Sequence, residues 1–298
     1  MDAGRARDSL NGLALGDAFG QTWFRISAGE AERRRLSRDV PAGPWPWTDD
    51  TAMALSLYQV LTTHGEVRQD DLARAFAAAY SIDPYRGYGG SMHDVLRCIG
   101  AGEDWRAVTA RQFGGLGSWG NGAAMRVAPL GAWLAADLDQ AAGQAALSAA
   151  VTHAHPEAAA GAIAVAVAAA LAARGEPAGS FLAAVAERTP DSQVASRLRT
   201  VAARSFELEP AWVAGEVGCG LQISAQDTVP YAIWCAARHL GNLEEALWAT
   251  ASAGGDVDTT CAIAGGIVAA RTGVREVPAC WLQAYEPLPA WARSAPAP

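Results

Sequence analysis

Along most of the chain, apolar residues recur at three- and four-residue intervals, the spacing that lines one face of a helix. The pattern predicts helices over Ala52–Leu61, Leu72–Tyr80, Ala123–Leu134, Ala158–Ala173, Ala195–Ala203, Val229–His239 and Ala246–Ala253, all rich in alanine, the strongest helix former. No set of alternating β-branched runs bounded by hairpin turns interrupts them. The chain therefore reads as all-α. It has no Ser/Pro-rich linker and no repeat of roughly 20–50 residues, which predicts one compact domain over residues 1–298.

Two stretches depart from the simple pattern. Gly12, Gly16 and Gly20 fall four residues apart in LNGLALGDAFG and share one stripe of a helix. Glycine costs about 1 kcal/mol against alanine inside a helix, so three in register predict a neighbouring backbone or a ligand against that face. The segment Gln21–Trp47 lacks periodicity and ends in PAGPWPW. It reads as a long functional loop, extended over Ala42–Trp47 because proline restricts itself and its predecessor. The tail, 293–298, reads as frayed.

Composition narrows the function. The chain is 51% hydrophobic and 18% charged, enough apolar material to exclude a disordered chain. Its net charge of −8 excludes a general nucleic-acid-coating surface, since such binding comes from phosphate neutralisation. The basic run Arg33-Arg34-Arg35 reads as a solvated loop face. Every basic residue is arginine, which removes Schiff-base and Walker-type lysines from consideration. The charged N-terminus has no apolar core of a signal peptide. Ala158–Ala173 falls short of the roughly 20 residues a bilayer requires, so it reads as a buried helix and no membrane partner is expected. Five scattered cysteines without CxxC spacing (98, 219, 235, 261 and 280) predict neither a disulfide framework nor a zinc site. A cytoplasmic protein is expected.

Two acidic clusters each precede an apolar helical run: Thr48-Asp49-Asp50-Thr51 and Gly254-Gly255-Asp256-Val257-Asp258-Thr259-Thr260. Taken alone, each is equally well a helix start, with Thr48 or Asp256 as the cap and acids favoured by the helix dipole. Taken together, four carboxylates with two hydroxyls would repel unless cations lay among them. An all-oxygen set suits Mg²⁺, Mn²⁺ or Ca²⁺ rather than zinc. Two ions would fit, and a paired site can clamp or activate a water.

A glycine-rich stretch, Phe113 to Gly122 (FGGLGSWGNG), leads into another helical run and suits an anion or phosphate cradle. Gly115, Gly117 and Gly120 formally match the dinucleotide fingerprint, but the preceding AVTARQF is no buried strand, which argues against a Rossmann unit. Phe113 and Trp119 offer faces for a base, with core packing as the ordinary alternative for either. In Thr152-His153-Ala154-His155-Pro156-Glu157, Pro156 reads as a helix start. His153 and His155 suit ligand contact or hydrogen bonding better than an oxygen-only metal cluster, while His64, His93 and His239 read as structural or exposed.

In order, the pieces GLALGDAFG (12–20), WTDDTAMA (47–54), GSWGNGAAMR (117–126), THAHP (152–156) and AGGDVDTTCAIAGG (253–266) resemble those of the ADP-ribosylglycohydrolase family, and they span nearly the whole chain. The resemblance implies an all-α single-domain bundle with a central cleft holding two divalent cations, Mg²⁺ or Mn²⁺. It implies Thr48, Asp49, Asp50, Asp256, Asp258 and Thr259 as their ligands, with Asp49, Asp50 and Asp258 as the catalytic carboxylates. It also implies a substrate surface of Phe113, Gly117, Ser118, Trp119, Gly120, Asn121, Gly122 and His153. The implied activity is hydrolysis of the bond between ribose C1″ of ADP-ribose and an acceptor: a protein side chain, a nucleobase or a small molecule. Many members of the family carry a glutamate shortly after GDALG, where this chain has Phe24, with Glu30 the nearest downstream carboxylate. That departure keeps open an alternative, a non-catalytic protein that binds ADP-ribose or a nucleotide. Asp17 is retained, and a buried supporting role is expected for it.

Overall fold

The computed structural model describes residues 1–293. It opens with α1 (Ala3–Gln21), α2 (Ala28–Ser37), α3 (Asp49–His64), α4 (Gln69–Ile82) and α5 (Gly90–Gly100). A short α6 (Trp105–Ala110), a 3₁₀ turn over Gln112–Gly115, α7 (Gly122–Met125) and α8 (Ala128–Trp133) lead to α9 (Leu138–Ala150) and α10 (Pro156–Arg174). Next come α11 (Ala178–Arg188), α12 (Gln193–Ala202), α13 (Pro210–Val217) and α14 (Ala225–Arg238). The series ends with α15 (Leu243–Ala251), α16 (Val257–Thr272), α17 (Ala279–Ala284) and α18 (Ala290–Arg293). Among the described residues the only β pairing is two isolated bridges, Trp45 with Tyr285 and Gly120 with Ser224. The all-α expectation holds.

The most extensive helix contact joins the two ends of the chain, α1 against α16. The glycine stripe makes it possible. A Cβ on Gly16 would stand 2.1 Å from the Cys261 carbonyl oxygen, one on Gly12 would lie 2.5 Å from that of Gly265, and one on Gly20 would lie 2.5 Å from the Asp258 Cα. The helices run antiparallel with backbones touching, which sets Asp17 of α1 beside the start of α16. Helices α10 and α14 complete the centre and are buried nearly all round, as expected of helices without a polar face. By length and composition α10 could cross a bilayer, but 78% of its apolar window is buried inside the protein.

Three expectations need correction. The segment 21–47 is not wholly loop, because α2 interrupts it. Ser27 caps α2 by accepting from the Glu30 N–H, and Glu30 pairs with Arg33 and Arg34. The arginine run therefore belongs to a helix, and the half-buried Arg34 also donates to the Thr22 carbonyl. Third, Ala123–Leu134 is two short helices rather than one, since Pro129 lacks the N–H needed to continue the ladder. Of the expected frayed tail, Arg293 closes α18 and 294–298 lie outside the described residues.

Candidate active site

The carboxylate pair Asp49 and Asp50 sits in the first turn of α3, and Asp258 in the first turn of α16, with Asp256 capping it. Packing α1 between these two helix starts brings the clusters together: carboxylate oxygens of Asp17, Asp50 and Asp258 lie within 4.8 Å of one another. Asp17 is held through both of its oxygens. Its Oδ1 accepts from the Thr48 hydroxyl at 2.8 Å, and its Oδ2 accepts from the Thr48 N–H, the Thr51 N–H and the Thr51 hydroxyl at 2.8, 3.1 and 2.5 Å. It therefore holds the start of α3 in place, the supporting role expected of it.

The remaining carboxylates strain against one another. Burial, followed by the charges of Asp17 and Asp256, pushes Asp49 up to about 8, and burial lifts Asp17 to about 6 against its four hydrogen bonds. Asp50 and Asp258 are raised well above the usual carboxylate range, first by burial and then by neighbouring carboxylates. Asp256 is raised too, chiefly by burial, although the Asn121 amide donates to its Oδ2 at 2.6 Å. Asp50 Oδ1 is buried with no hydrogen-bond partner. A buried, unpaired acceptor among like charges is the environment a hard divalent cation relieves, and the donor set is all oxygen. The residues present fit such ions.

This cluster forms one end of a cavity of about 500 Å³. The glycine-rich stretch lines the same cavity and meets the cluster where Asn121 donates to Asp256. Phe113, Gly114, Gly115 and Gly117 all take left-handed backbone conformations, so the chain doubles back and presents its main chain. The loop is pinned from outside, where the Ala225 N–H donates to the Trp119 carbonyl at 3.0 Å and Gly120 bridges to Ser224. His153 packs beneath it. A Cβ on Gly122 would come within 2.9 Å of the His153 ring, so glycine there lets the imidazole reach the cavity. Burial, with the nearby Arg126 charge, drives His153 down to about 3, leaving a neutral ring whose Nδ1 is paired with the Thr152 hydroxyl at 2.7 Å. Arg126 is fully buried and donates to the Ser148 and Gly122 carbonyls. Burial lowers its guanidinium to about 9.

Among the sequence-predicted residues, Asp49, Asp50, Asp256, Asp258, Thr259, Phe113, Ser118, Trp119, Gly120, Asn121, Gly122 and His153 all line this one cavity. Thr48 and Gly117 do not. Thr48 sits behind the cluster, between Asp17 and Asp50, and Gly117 packs against the main chain of Ala154 and His155. The amide of Asn121 is committed to Asp256 and Thr228 rather than to the cavity. Phe113 and Trp119 touch each other, with ring centroids 5.0 Å apart, so a base cannot enter between them without parting them, which needs about 7 Å for two van der Waals contacts. His155 caps α10 through Nδ1 and meets the edge of Trp119. His93 pairs with Tyr80 and His64 with Asp71. No carboxylate of 21–47 lines the cavity, and Phe24 stands outside it, 39% exposed.

The sequence reading passed over the run Gly87-Tyr-Gly-Gly-Ser91, of which Gly87, Gly89, Gly90 and Ser91 line the cavity. Three glycines in five residues were the available signal. Gln222 and Ile223 also line it, and nothing in their local sequence marks them.

The sequence profile of the ADP-ribosylglycohydrolase family matches residues 2–295. The chain belongs to the ADP-ribosylglycohydrolase family. It is 34% identical to the ADP-ribosylhydrolase ARH3 of Homo sapiens over 95% of this chain and 89% of that one, and 33% identical to the Bos taurus protein over 95% and 88%. It is 28% identical to the ADP-ribosyl-[dinitrogen reductase] glycohydrolase of Rhodospirillum rubrum over 93% and 89%. A solved structure described as an ADP-ribosylglycohydrolase-related protein complex superposes with a TM-score of 0.70, at 26% identity, covering 95% of this chain and 93% of the other. Family membership supports an ADP-ribosyl hydrolase activity.

Proposed function

We propose that this cavity hydrolyses the bond between C1″ of ADP-ribose and an acceptor, with two divalent cations, Mg²⁺ or Mn²⁺, held by Asp49, Asp50, Asp256, Asp258 and Thr259, and with Thr48 bracing the set from behind. The observation that carries the reading is that carboxylates of α3 and α16, the unpartnered Asp50 Oδ1 among them, come together in one cavity that the glycine-rich stretch also lines. When bound, such ions supply Lewis acidity toward the ribose hydroxyls and lower the pKa of water toward neutrality.

The chain's own groups do the rest. Main-chain N–H groups of 118–122 other than that of Gly120, which donates to the Ser118 hydroxyl, orient the diphosphate, because a glycine-rich lining lets the ligand approach closely. Neutral His153 reaches the ribose as a hydrogen-bonding partner without adding charge. Trp119 stacks on the base from its open side, or Phe113 swings away on Gly114 and Gly115, which face open space. Asp49, which lines the cavity at the start of α3, accepts the proton lost by the attacking water. Fixing both reactants in one cleft supplies the orientation. The acceptor we envisage is a protein side chain, a nucleobase or a small molecule.

The test is a panel of arginine-, serine- and nucleobase-linked ADP-ribose, assayed after chelation with Mg²⁺ or Mn²⁺ restored, for the parent and for Asp258→Ala. Metal-dependent release of ADP-ribose that vanishes in Asp258→Ala supports the proposal, and unchanged turnover in that variant refutes it. Phe24 and the lack of a carboxylate from 21–47 in the cavity favour one second reading, a binding protein without hydrolysis. Tight metal-dependent ADP-ribose binding with no release from any conjugate would select it.

A further inference from the structure

Outside the cavity, Arg86 joins three parts of the chain. Its guanidinium makes a two-pronged pair with Glu286, Nη1 to Oε2 at 2.7 Å and Nη2 to Oε1 at 2.8 Å. Nη1 also donates to the Trp47 carbonyl at 3.0 Å, the guanidinium carbon lies 3.6 Å over the centre of the Trp47 ring, and Nε forms an ion pair with Asp83 at 2.9 Å. Planar stacking combined with a carboxylate fork is a geometry only arginine supplies. Alongside it the two backbones run together: the Glu286 N–H donates to the Trp45 carbonyl at 2.8 Å, and the Trp45 N–H donates to the Ala284 carbonyl at 2.7 Å.

The main chain of Arg86 faces the acidic cluster. Its carbonyl accepts the Asp49 N–H at 2.7 Å, satisfying one of the donors a helix start leaves unpaired. The next residue, Gly87, is left-handed, and a Cβ there would lie 3.5 Å from Asp49 Oδ1. So the side chain of Arg86 is bolted to Trp47 and to the C-terminal segment, while its carbonyl grips the first residue of the metal-facing turn.

We propose that Arg86 is a positioning residue for the cation site: it fixes the Asp49 carboxylate through its own carbonyl, and the segment bearing Glu286 serves as the brace. The inference rests on the reading that Asp49 is one of the ligands of a divalent cation. Losing the guanidinium frees the 83–87 turn, and Asp49 loses its register with Asp50 although every ligand remains present. Groups that orient metal ligands typically cost about 10–100-fold in affinity when removed.

Arg204 offers a control outside the cavity lining. It forks to Glu216 and lies 5.6 Å from the Trp212 ring centre. The experiment measures Mn²⁺ affinity and the spectrum of the bound ion by electron paramagnetic resonance, with thermal unfolding in parallel, on the full chain. The set is the parent, Asp50→Asn, Arg86→Gln, Glu286→Gln and Arg204→Gln. The expected result is Mn²⁺ binding about 10–100-fold weaker in Arg86→Gln, with an altered bound-ion spectrum, while Arg204→Gln binds as the parent does. Parent-like Mn²⁺ binding by Arg86→Gln overturns the proposal, and so does equal weakening in Arg86→Gln and Arg204→Gln, which would mark a general loss of stability. Should Arg86→Gln not fold, Glu286→Gln keeps the guanidinium on Trp47 and is judged by the same criteria. If the parent binds no Mn²⁺, or Asp50→Asn binds as well as the parent, the cation site itself is wrong and this inference falls with it.

Discussion

Replacing Gly16 by alanine tests whether the contact between α1 and α16 builds the site. The added Cβ would stand 2.1 Å from the Cys261 carbonyl oxygen and 2.7 Å from its carbon, whereas ordinary contact begins near 3.4 Å. Backbone cannot rotate out of the way, so α16 must retreat by about 1.3 Å in a close-packed interior. Overpacking of this kind costs about 1–3 kcal/mol, with more in rigid places, against about 1 kcal/mol returned by alanine's helix propensity. A net loss of about 1–2 kcal/mol corresponds to a Tm lower by roughly 2–3 °C for a chain of this size. Asp258 lies three residues from Cys261 on the displaced helix, so Mn²⁺ affinity falls with stability. Gly143, in the middle of α9 with open space around it, supplies the comparison: Gly143→Ala gains up to about 1 kcal/mol and leaves Mn²⁺ binding unchanged. Urea unfolding and Mn²⁺ titration of both variants decide the matter. A Gly16→Ala protein as stable as the parent, or one that gains like Gly143→Ala, refutes the reasoning.

The acidic cluster sets the pH response of the chelated protein. The Asp49 carboxyl is raised from 3.8 to about 8 in the fold, so the folded state holds more protons than the unfolded one between those values. Stability of the chelated protein should therefore fall as pH rises from about 4 through 8, and thermal melts across that range should flatten when Mn²⁺ is added. At a hundredfold excess over Kd, the ion contributes about 2.7 kcal/mol. Asp50→Asn should melt higher than the parent under chelation, because folding no longer has to force a proton onto that buried carboxyl, yet respond less to Mn²⁺. A parent-like Mn²⁺ shift in its melting curve would remove Asp50 from the ligand set. Gly122→Ala drives a methyl into the His153 ring and should weaken ADP-ribose about tenfold, or about 1.4 kcal/mol, by calorimetry; equal affinity would mean the imidazole does not touch the ligand. Trp119→Ala should cost about 1–3 kcal/mol of ADP-ribose binding and leave ribose 5-phosphate unaffected, and equal losses for both ligands would place the base elsewhere.

Much of this organisation was legible before any coordinates. Helices announce themselves where an apolar face must be buried, as in α10 and α14, and the four-residue glycine stripe foretold a close backbone neighbour without naming it. The two acidic runs were readable as one site because like charges need a common counter-ion. Helix α2 escaped detection because none of its residues is buried; it is held by a cap and local ion pairs, which leave no apolar stripe. The bracing by Arg86 and Glu286 was invisible for another reason: its members lie 200 residues apart, and nothing local requires them to meet. Contact between Phe113 and Trp119 likewise depends on a loop whose path is set by left-handed residues, which sequence spacing does not specify.

That two distant stretches of the polypeptide build the acidic cluster has a consequence for how the protein is made. Asp17, Asp49 and Asp50 leave the ribosome early, whereas Asp256 and Asp258 arrive only after most of the chain has been synthesised. A stalled or truncated product lacking α16 carries half of the acidic cluster and an uncovered glycine stripe, so the proposed site and the completed fold come into being together.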